Sequence, residues 1–240
     1  MELKVTWLGH SCFRIQADAY TVLIDPYSPD SVPGYRPLKE SADLILFSHE
    51  HQDHHGVHGV GIRTGEENPF RIQKIDTFHD NKQGKLRGRN KIHVLEIGDY
   101  KLVHLGDLGC DLTLFQYGLL RDADVLMIPV GGYYTINAAQ ANKMAQQLHA
   151  RVTIPMHYRT ANYGFKEIAL LEEYIRAYEG LMKFYDTSEL VITKELEEQA
   201  AVLLPKYGRQ AAKPAAGQPA QTDEADPSAQ KADEAKPAGE

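Results

Sequence analysis

The sequence predicts an α/β sandwich, two sheets packed face to face with helices outside them. Three observations carry that expectation. The first half of the 240-residue chain is a run of short strands punctuated by Gly, Ser, Asp and Ala. The second half alternates helical periodicity with short apolar runs. Composition supplies the third: 42% apolar and 25% charged residues suit a globular domain with one sizeable core.

The elements follow in order. Leu3 to Leu8, Cys12 to Ile15 and Tyr20 to Ile24 read as strands, as do Asp43 to Phe47 and Phe70 to Phe78. Lys91 to Ile97 and Tyr100 to Leu105 form a hairpin across Gly98-Asp99. Leu112 to Arg121 reads as a helix and Val125 to Val130 as an apolar strand. Ala141, Met144, Ala145 and Leu148 recur at helical spacing within Asn137 to His149. Val152 to Pro155 is a strand again. Ile168, Leu171, Glu172 and Ile175 predict a helix over Gly164 to Tyr178, and Glu189 to Thr193 closes the domain as a strand.

From Arg209 onward there is no Val, Ile, Leu, Met, Phe, Trp or Tyr, so the sequence divides into a folding unit over 1–208 and a disordered tail over 209–240. The tail holds four basic and six acidic residues, which leaves −5 of the formal −7 on residues 1–208. An acidic unit argues against broad nucleic-acid or membrane-surface binding. No apolar run approaches the roughly 20 residues that span a bilayer, and the N-terminus lacks the layout of a signal peptide. Cys12 and Cys110 form no CxxC pair. The expectation is a soluble, cytoplasmic protein acting on a small molecule; the sequence is silent on oligomeric state.

Five of the eleven histidines lie between His49 and His58. The string His49-Glu50-His51-Gln52-Asp53-His54 follows an apolar strand. Residues two apart on an extended strand end point to one side, so His49 and His51 converge on one ion, while the following turn swings Asp53 and His54 toward a second. A pairing of His54 with His58 across one helical turn is the alternative, weakened by Gly56 and Gly59. Imidazole with carboxylate suits Zn, Mn or Fe. His79, Asp107 and His157 each stand at the C-terminal end of another apolar strand, where an open sheet presents its site.

This string resembles the H-x-H-x-D-H motif of the metallo-β-lactamase superfamily, and the similarity runs over residues 3 to 204. Thr77-Phe78-His79-Asp80, Leu105-Gly106-Asp107-Leu108-Gly109 and Ile154-Pro155-Met156-His157-Tyr158 resemble that family's third-histidine, bridging-aspartate and last-histidine motifs. The resemblance implies a four-layer αββα fold of two mixed sheets with helices on the outer faces. It implies two divalent ions, Zn foremost and Mn or Fe as alternatives: His49, His51 and His79 on one, Asp53, His54 and His157 on the other, Asp107 bridging. It further implies hydrolysis by a metal-bridging hydroxide, with Asp53 accepting its proton. Aspartate at the bridging position and no Cys ligand resemble the lactonase, phosphodiesterase and ribonuclease Z branches rather than the antibiotic-degrading ones.

Secondary positions remain open. Lys82, Lys85, Arg87, Arg89 and Lys91 make a basic segment after His79, either an anion anchor centred on Arg87 or a solvated hairpin loop. Tyr133 and Tyr134 follow an apolar strand and line the pocket or pack. Asp25 is expected to orient a ligand histidine, His10 to do so or to serve as a structural hydrogen bonder, and His104 to sit in the core or behind a ligand. The leading expectation is a metal-dependent hydrolase of a small anionic ester, lactone or phosphodiester. A nuclease or RNA-processing phosphodiesterase, an iron-dependent oxidoreductase on the same fold, and a non-catalytic binding protein are the alternatives.

Overall fold

The structure, a computed structural model, describes residues 1–209. The tail predicted over 209–240 lies outside the described residues except for Arg209, whose N–H donates to the Gly34 carbonyl at 2.8 Å. The elements run β1 (Leu3–Gly9), β2 (Cys12–Ala17), β3 (Tyr20–Ile24), β4 (Glu40–Ala42), β5 (Leu44–Leu46), β6 (Val60–Ile62), β7 (Arg71–Phe78), β8 (Arg89–Ile97), β9 (Tyr100–His104), α1 (Leu114–Leu120), β10 (Val125–Pro129), α2 (Ala138–Leu148), β11 (Val152–Met156), α3 (Leu171–Ala177), β12 (Met182–Phe184), β13 (Glu189–Val191) and β14 (Gln199–Val202).

Two main sheets result, one ordered β13-β1-β2-β3-β5 and the other β12-β14-β11-β10-β9-β8-β7, with a small β4-β6 pair beside them. In the first, β1 and β3 both run antiparallel to β2, and β5 is parallel to β3. In the second, β9, β10 and β11 are parallel, and β7 shares their direction because both β7 and β9 are antiparallel to β8. The all-apolar runs of β10 and β11 are buried throughout, as strands covered on both faces must be.

Alternation on the first sheet divides its side chains between two apolar clusters. Val5, Trp7, Phe13, Ile15, Val22 and Ile24 point inward to the core between the sheets. Leu8, Cys12 and Leu23 point outward, where Tyr27, Val32, Tyr35, Leu38 and Ala42 cover them. That outer cover is therefore made of loop and β4 residues rather than of a helix. The three helices of the described residues associate with one another, and α2 packs on β10 of the second sheet. The result is an α/β sandwich of two packed sheets, as the resemblance implies, with its helices gathered against one sheet.

Two element expectations are corrected. The helix predicted over Gly164 to Tyr178 shortens to α3, because its first half is held by strand-like bonds: Arg159 N–H to the Ala169 carbonyl at 3.0 Å and Ala169 N–H to the Gly131 carbonyl at 2.7 Å. The basic hairpin loop ends at Gly88, so Arg89 and Lys91 are strand residues of β8. No helix among the described residues is long and apolar enough to cross a membrane.

Candidate metal centre

Parallel strand directions bring six strand ends to one edge of the sandwich. His10 follows β1, Asp25 follows β3, residues 49–54 follow β5, His79 follows β7, Asp107 comes three residues after β9, and His157 follows β11. His10, Asp25 and His157 take left-handed backbone conformations, with φ of 53°, 48° and 53°. Such turns cost non-glycine residues free energy and persist where the surroundings hold them. At His10 the turn reverses the chain into antiparallel β2, and at Asp25 and His157 it bends the chain out of the strand. Gly106, at φ 57°, has no alternative: a Cβ there would sit 2.3 Å from Asn90 Oδ1 and 2.5 Å from Ser48 Cβ.

Three ligand-like groups form at this edge, each with donor atoms within 4.8 Å of one another: His49, His51 and His79; His10, Asp53, His54 and His157; and His49, His54 and Asp107. Asp107 Oδ2 lies 3.2 Å from His54 Nε2, 3.3 Å from His79 Nε2 and 3.1 Å from His157 Nε2. The Nε2 atoms of His49 and His54 are buried and neither makes a well-aligned hydrogen bond, although His54 Nε2 lies close to Asp107. Buried imidazole nitrogens left unpaired around a carboxylate are costly unless a cation completes them, so this all-nitrogen-and-oxygen donor set fits a divalent metal. His55, stacked on Phe47, and His58 are exposed and take no part, and the 54–58 stretch forms no helix.

Residues behind these groups fix which nitrogen is free. His54 Nδ1 donates to Asp25 Oδ2 at 2.9 Å, and Asp25 also accepts from Ser48 N–H and Ser48 Oγ–H, each at 2.6 Å. Ser48 Oγ is 2.9 Å from His49 Nδ1. His79 Nδ1 donates to the Tyr134 carbonyl at 3.1 Å. In each case Nε2 is left as the nitrogen available to the cluster. His104 is satisfied away from it, with Nε2 donating to the Ser11 carbonyl at 2.9 Å and Nδ1 accepting from Gly106 N–H at 3.1 Å. Sequence reasoning missed Ser48 and Asn90. Asn90 Oδ1 accepts from Asp107 N–H at 2.9 Å while its amide donates to Thr77 Oγ1 and the Leu105 carbonyl. An isolated Asn within a strand carries no sequence signal for that task.

The electrostatics follow from burial and charge. Burial, with His54 beside it, depresses His49 to about 3, and burial together with His157 depresses His10 to about 4. Burial alone would raise Asp25, yet the hydrogen bond and charge of His54 hold it at about 2. Burial opposes protonation of His54, but Asp107 and Asp53 outweigh it and raise that histidine well above its ordinary value. Asp107 and Asp53 thus favour positive charge at His54, as the carboxylates of a cation site do.

The cleft over these residues has a volume of about 250 Å³, and its remaining walls are Arg87, Tyr134 and Phe165. The Arg87 guanidinium lies 5.4 Å from the Tyr134 ring centroid. Tyr133 stands outside this cleft, 65% exposed, and borders a neighbouring depression beside Cys110. His10 Nε2 is 3.2 Å from Asp53 Oδ2. Asp80, adjacent to His79, accepts four backbone N–H groups, from Lys82, Gly84, Leu86 and Arg87, and so shapes the loop that carries Arg87.

The profile of the Beta-lactamase superfamily domain matches residues 4–157 of this chain. The chain belongs to that superfamily. A "UPF0173 metal-dependent hydrolase" of Hyperthermus butylicus is 32% identical, the match covering 65% of this chain and 83% of the relative. One from Thermoplasma acidophilum is 27% identical over 82% of this chain and 97% of its own length. Among solved structures, a metallo-β-lactamase superfamily protein of Thermotoga maritima is similar at a TM-score of 0.65 with 31% identity, covering 84% of this chain and 98% of that one. The protein is a metal-dependent hydrolase of this superfamily, and the His/Asp cluster at its strand ends is suited to the metal.

Proposed function

We propose that this hydrolase uses a dinuclear centre to cleave a small anionic ester, lactone or phosphodiester. His49, His51 and His79 would hold one divalent ion, Asp53, His54 and His157 the other, and Asp107 would join both. The observation that carries this reading is Asp107 Oδ2, which lies within 3.3 Å of His79 from one group and of His54 and His157 from the other. When bound, such ions lower the pKa of a coordinated water toward neutrality and polarise a carbonyl or phosphoryl oxygen; Zn fits the donors best, and Mn or Fe also accept them.

The chain's own residues do the rest. Asp25 holds His54 with Nε2 available to the cluster, and the Tyr134 carbonyl does the same for His79. Asp53, whose side chain is 18% exposed, meets both the cleft and buried His10, and that position supports a role in which its Oδ2 takes a proton and shares it with His10 Nε2. Arg87 offers a fork of N–H donors to an anionic substrate group, and its stacking on Tyr134 limits its freedom before binding.

Elemental analysis and a substrate panel test this reading together. Metal-depleted protein reloaded with Zn or Mn is expected to turn over members of a set of phosphodiesters, lactones, thioesters and β-lactams, with about two ions per chain. Two iron atoms per chain accompanied by oxygen consumption would overturn it, and salt-sensitive RNA binding would redirect it toward RNA processing. His51→Ala is expected to remove metal and activity together; unchanged metal content would show that the ligand assignment is wrong. Arg87→Ala is expected to raise KM at least tenfold with metal content unaltered, and an unchanged KM would retire the anion anchor.

A further inference from the structure

We propose that substrate binding continues past the cleft into a second, cationic subsite, and that the substrate carries a further anionic group, phosphate or carboxylate, seated there. The proposal rests on the reading of the adjacent cleft as the reaction centre. A groove of about 410 Å³ opens beside the cleft and is walled by His49, His51, Arg87, Arg89 and Lys91, with Glu50 as its one carboxylate. His51 and Arg87 face both spaces, so the groove is continuous with the cleft.

The pattern comes from strand alternation. Arg89 and Lys91, two apart in β8, point to one side, and the turn that ends at Gly88 brings Arg87 to the same groove. Asn90, between them, points the other way and holds Asp107. One strand thus positions the proposed bridging carboxylate on one face and lines the groove on the other.

Clustering sets these three apart: Arg36, Arg121 and Arg176 also lack an ion pair among the described residues, but only Arg87, Arg89 and Lys91 are gathered in this groove. Arg14, Arg63 and Arg151 are each paired with a carboxylate. Among the described residues, Arg87, Arg89 and Lys91 make no ion pair within 4.0 Å, although Asp76 is the cross-strand partner of Lys91 and Glu50 shares the groove. In a chain of net charge −7, three unpaired cations gathered beside the proposed metal centre repel one another until an anion enters. A guanidinium fork and an ammonium suit phosphate or carboxylate oxygens. An anion held there, away from the reacting bond, would orient the substrate across the cleft.

The test is calorimetric, on the full chain in metal-loaded and chelated form. Propyl phosphate is compared with propane-1,3-diyl and hexane-1,6-diyl bisphosphate, and butyrate with dicarboxylates of matching length. Wild-type protein is expected to bind at least one bis-anion tenfold or more tightly than its mono-anion, and this ratio falls toward one in Arg89→Gln/Lys91→Gln with thermal stability and metal content retained. A gain with bisphosphates identifies a phosphate guest, and a gain with dicarboxylates a carboxylate one. No gain with either, or a gain that survives in the double variant, overturns the subsite. Because binding is read without turnover, a bis-anion gain in a protein that hydrolyses nothing in the panel would refute the proposed reaction and leave the subsite standing.

Discussion

Asp25 shows at the scale of one residue how the centre is built from behind. It is fully buried, stands in a left-handed turn, and spends both oxygens on Ser48 and His54. Asp25→Ala is expected to lower metal affinity 10–100-fold, because His54 and the Ser48–His49 contact lose their common anchor. Metal titration against a competing chelator measures this, and an affinity within twofold of wild type would show that the anchor is dispensable. The clustered string from His49 to His54 was legible in the sequence because four donor residues within six positions have few other uses. Asp25 and His10 were legible as polar residues ending apolar strands. Ser48 and Asn90 were not, since their work depends on partners distant in sequence: Asn90 meets Asp107 and Ser48 meets Asp25 only once the strands are assembled.

At the scale of elements, strand ends deliver the chemistry and a second set of contacts fixes the opposite ends. Asp124, just before β10, accepts from Lys101 N–H at 2.8 Å, from Arg151 at 2.5 Å and from Lys194 at 2.9 Å. It therefore ties β9, β10 and β11 to the segment after β13. Burial would raise its pKa, but the Lys194 and Arg151 contacts and the Lys101 amide hold it below the ordinary carboxylate value. The sign follows: its contribution is full above the unfolded pKa of about 3.9 and is lost as pH falls through the lower folded value. Asp124→Asn is expected to cost about 1–2 kcal/mol at pH 7, with the gap between variant and wild type closing below about pH 4. Urea unfolding at several pH values measures it, and a gap independent of pH would assign the effect to packing. The long apolar strands around this anchor were legible because they are buried on both faces. The three-residue strands β4, β6 and β12 were not, being too short for a period to show. The helix expected from Gly164 failed for a related reason: its spacing was helical, but Arg159 and Gly131 claimed its backbone for bridging bonds.

For the whole molecule, the end of the folded unit can be set by which backbone groups the core still uses. Every residue lining the cleft precedes Tyr174, and the last main-sheet strand, β14, ends at Val202. The chain does not stop contributing there. Leu204 N–H donates to the Thr187 carbonyl at 3.0 Å, Lys206 N–H to Trp7 at 3.0 Å, Tyr207 N–H to Leu8 at 3.0 Å and Arg209 N–H to Gly34 at 2.8 Å. Tyr207 also packs on the outer apolar cluster, and its hydroxyl lies 2.9 Å from the Lys39 carbonyl and 2.8 Å from Glu40. Among the described residues, Arg209 N–H is the last backbone group to bond to the fold. A chain ending at Arg209 is expected to keep wild-type metal content, turnover and thermal stability. One ending at Leu203 loses all four of those bonds and the Tyr207 cover over Leu8 and Cys12, at a cost on the order of 3–5 kcal/mol. Because β1 leads from those bonds to His10, the shorter chain is also expected to bind metal less tightly. Calorimetric unfolding and metal titration of the two shortened chains, side by side, decide the matter: equal stability would mean that residues 204–209 merely lie on the surface, and a loss of metal in the chain ending at Arg209 would mean that residues 210–240 support the centre.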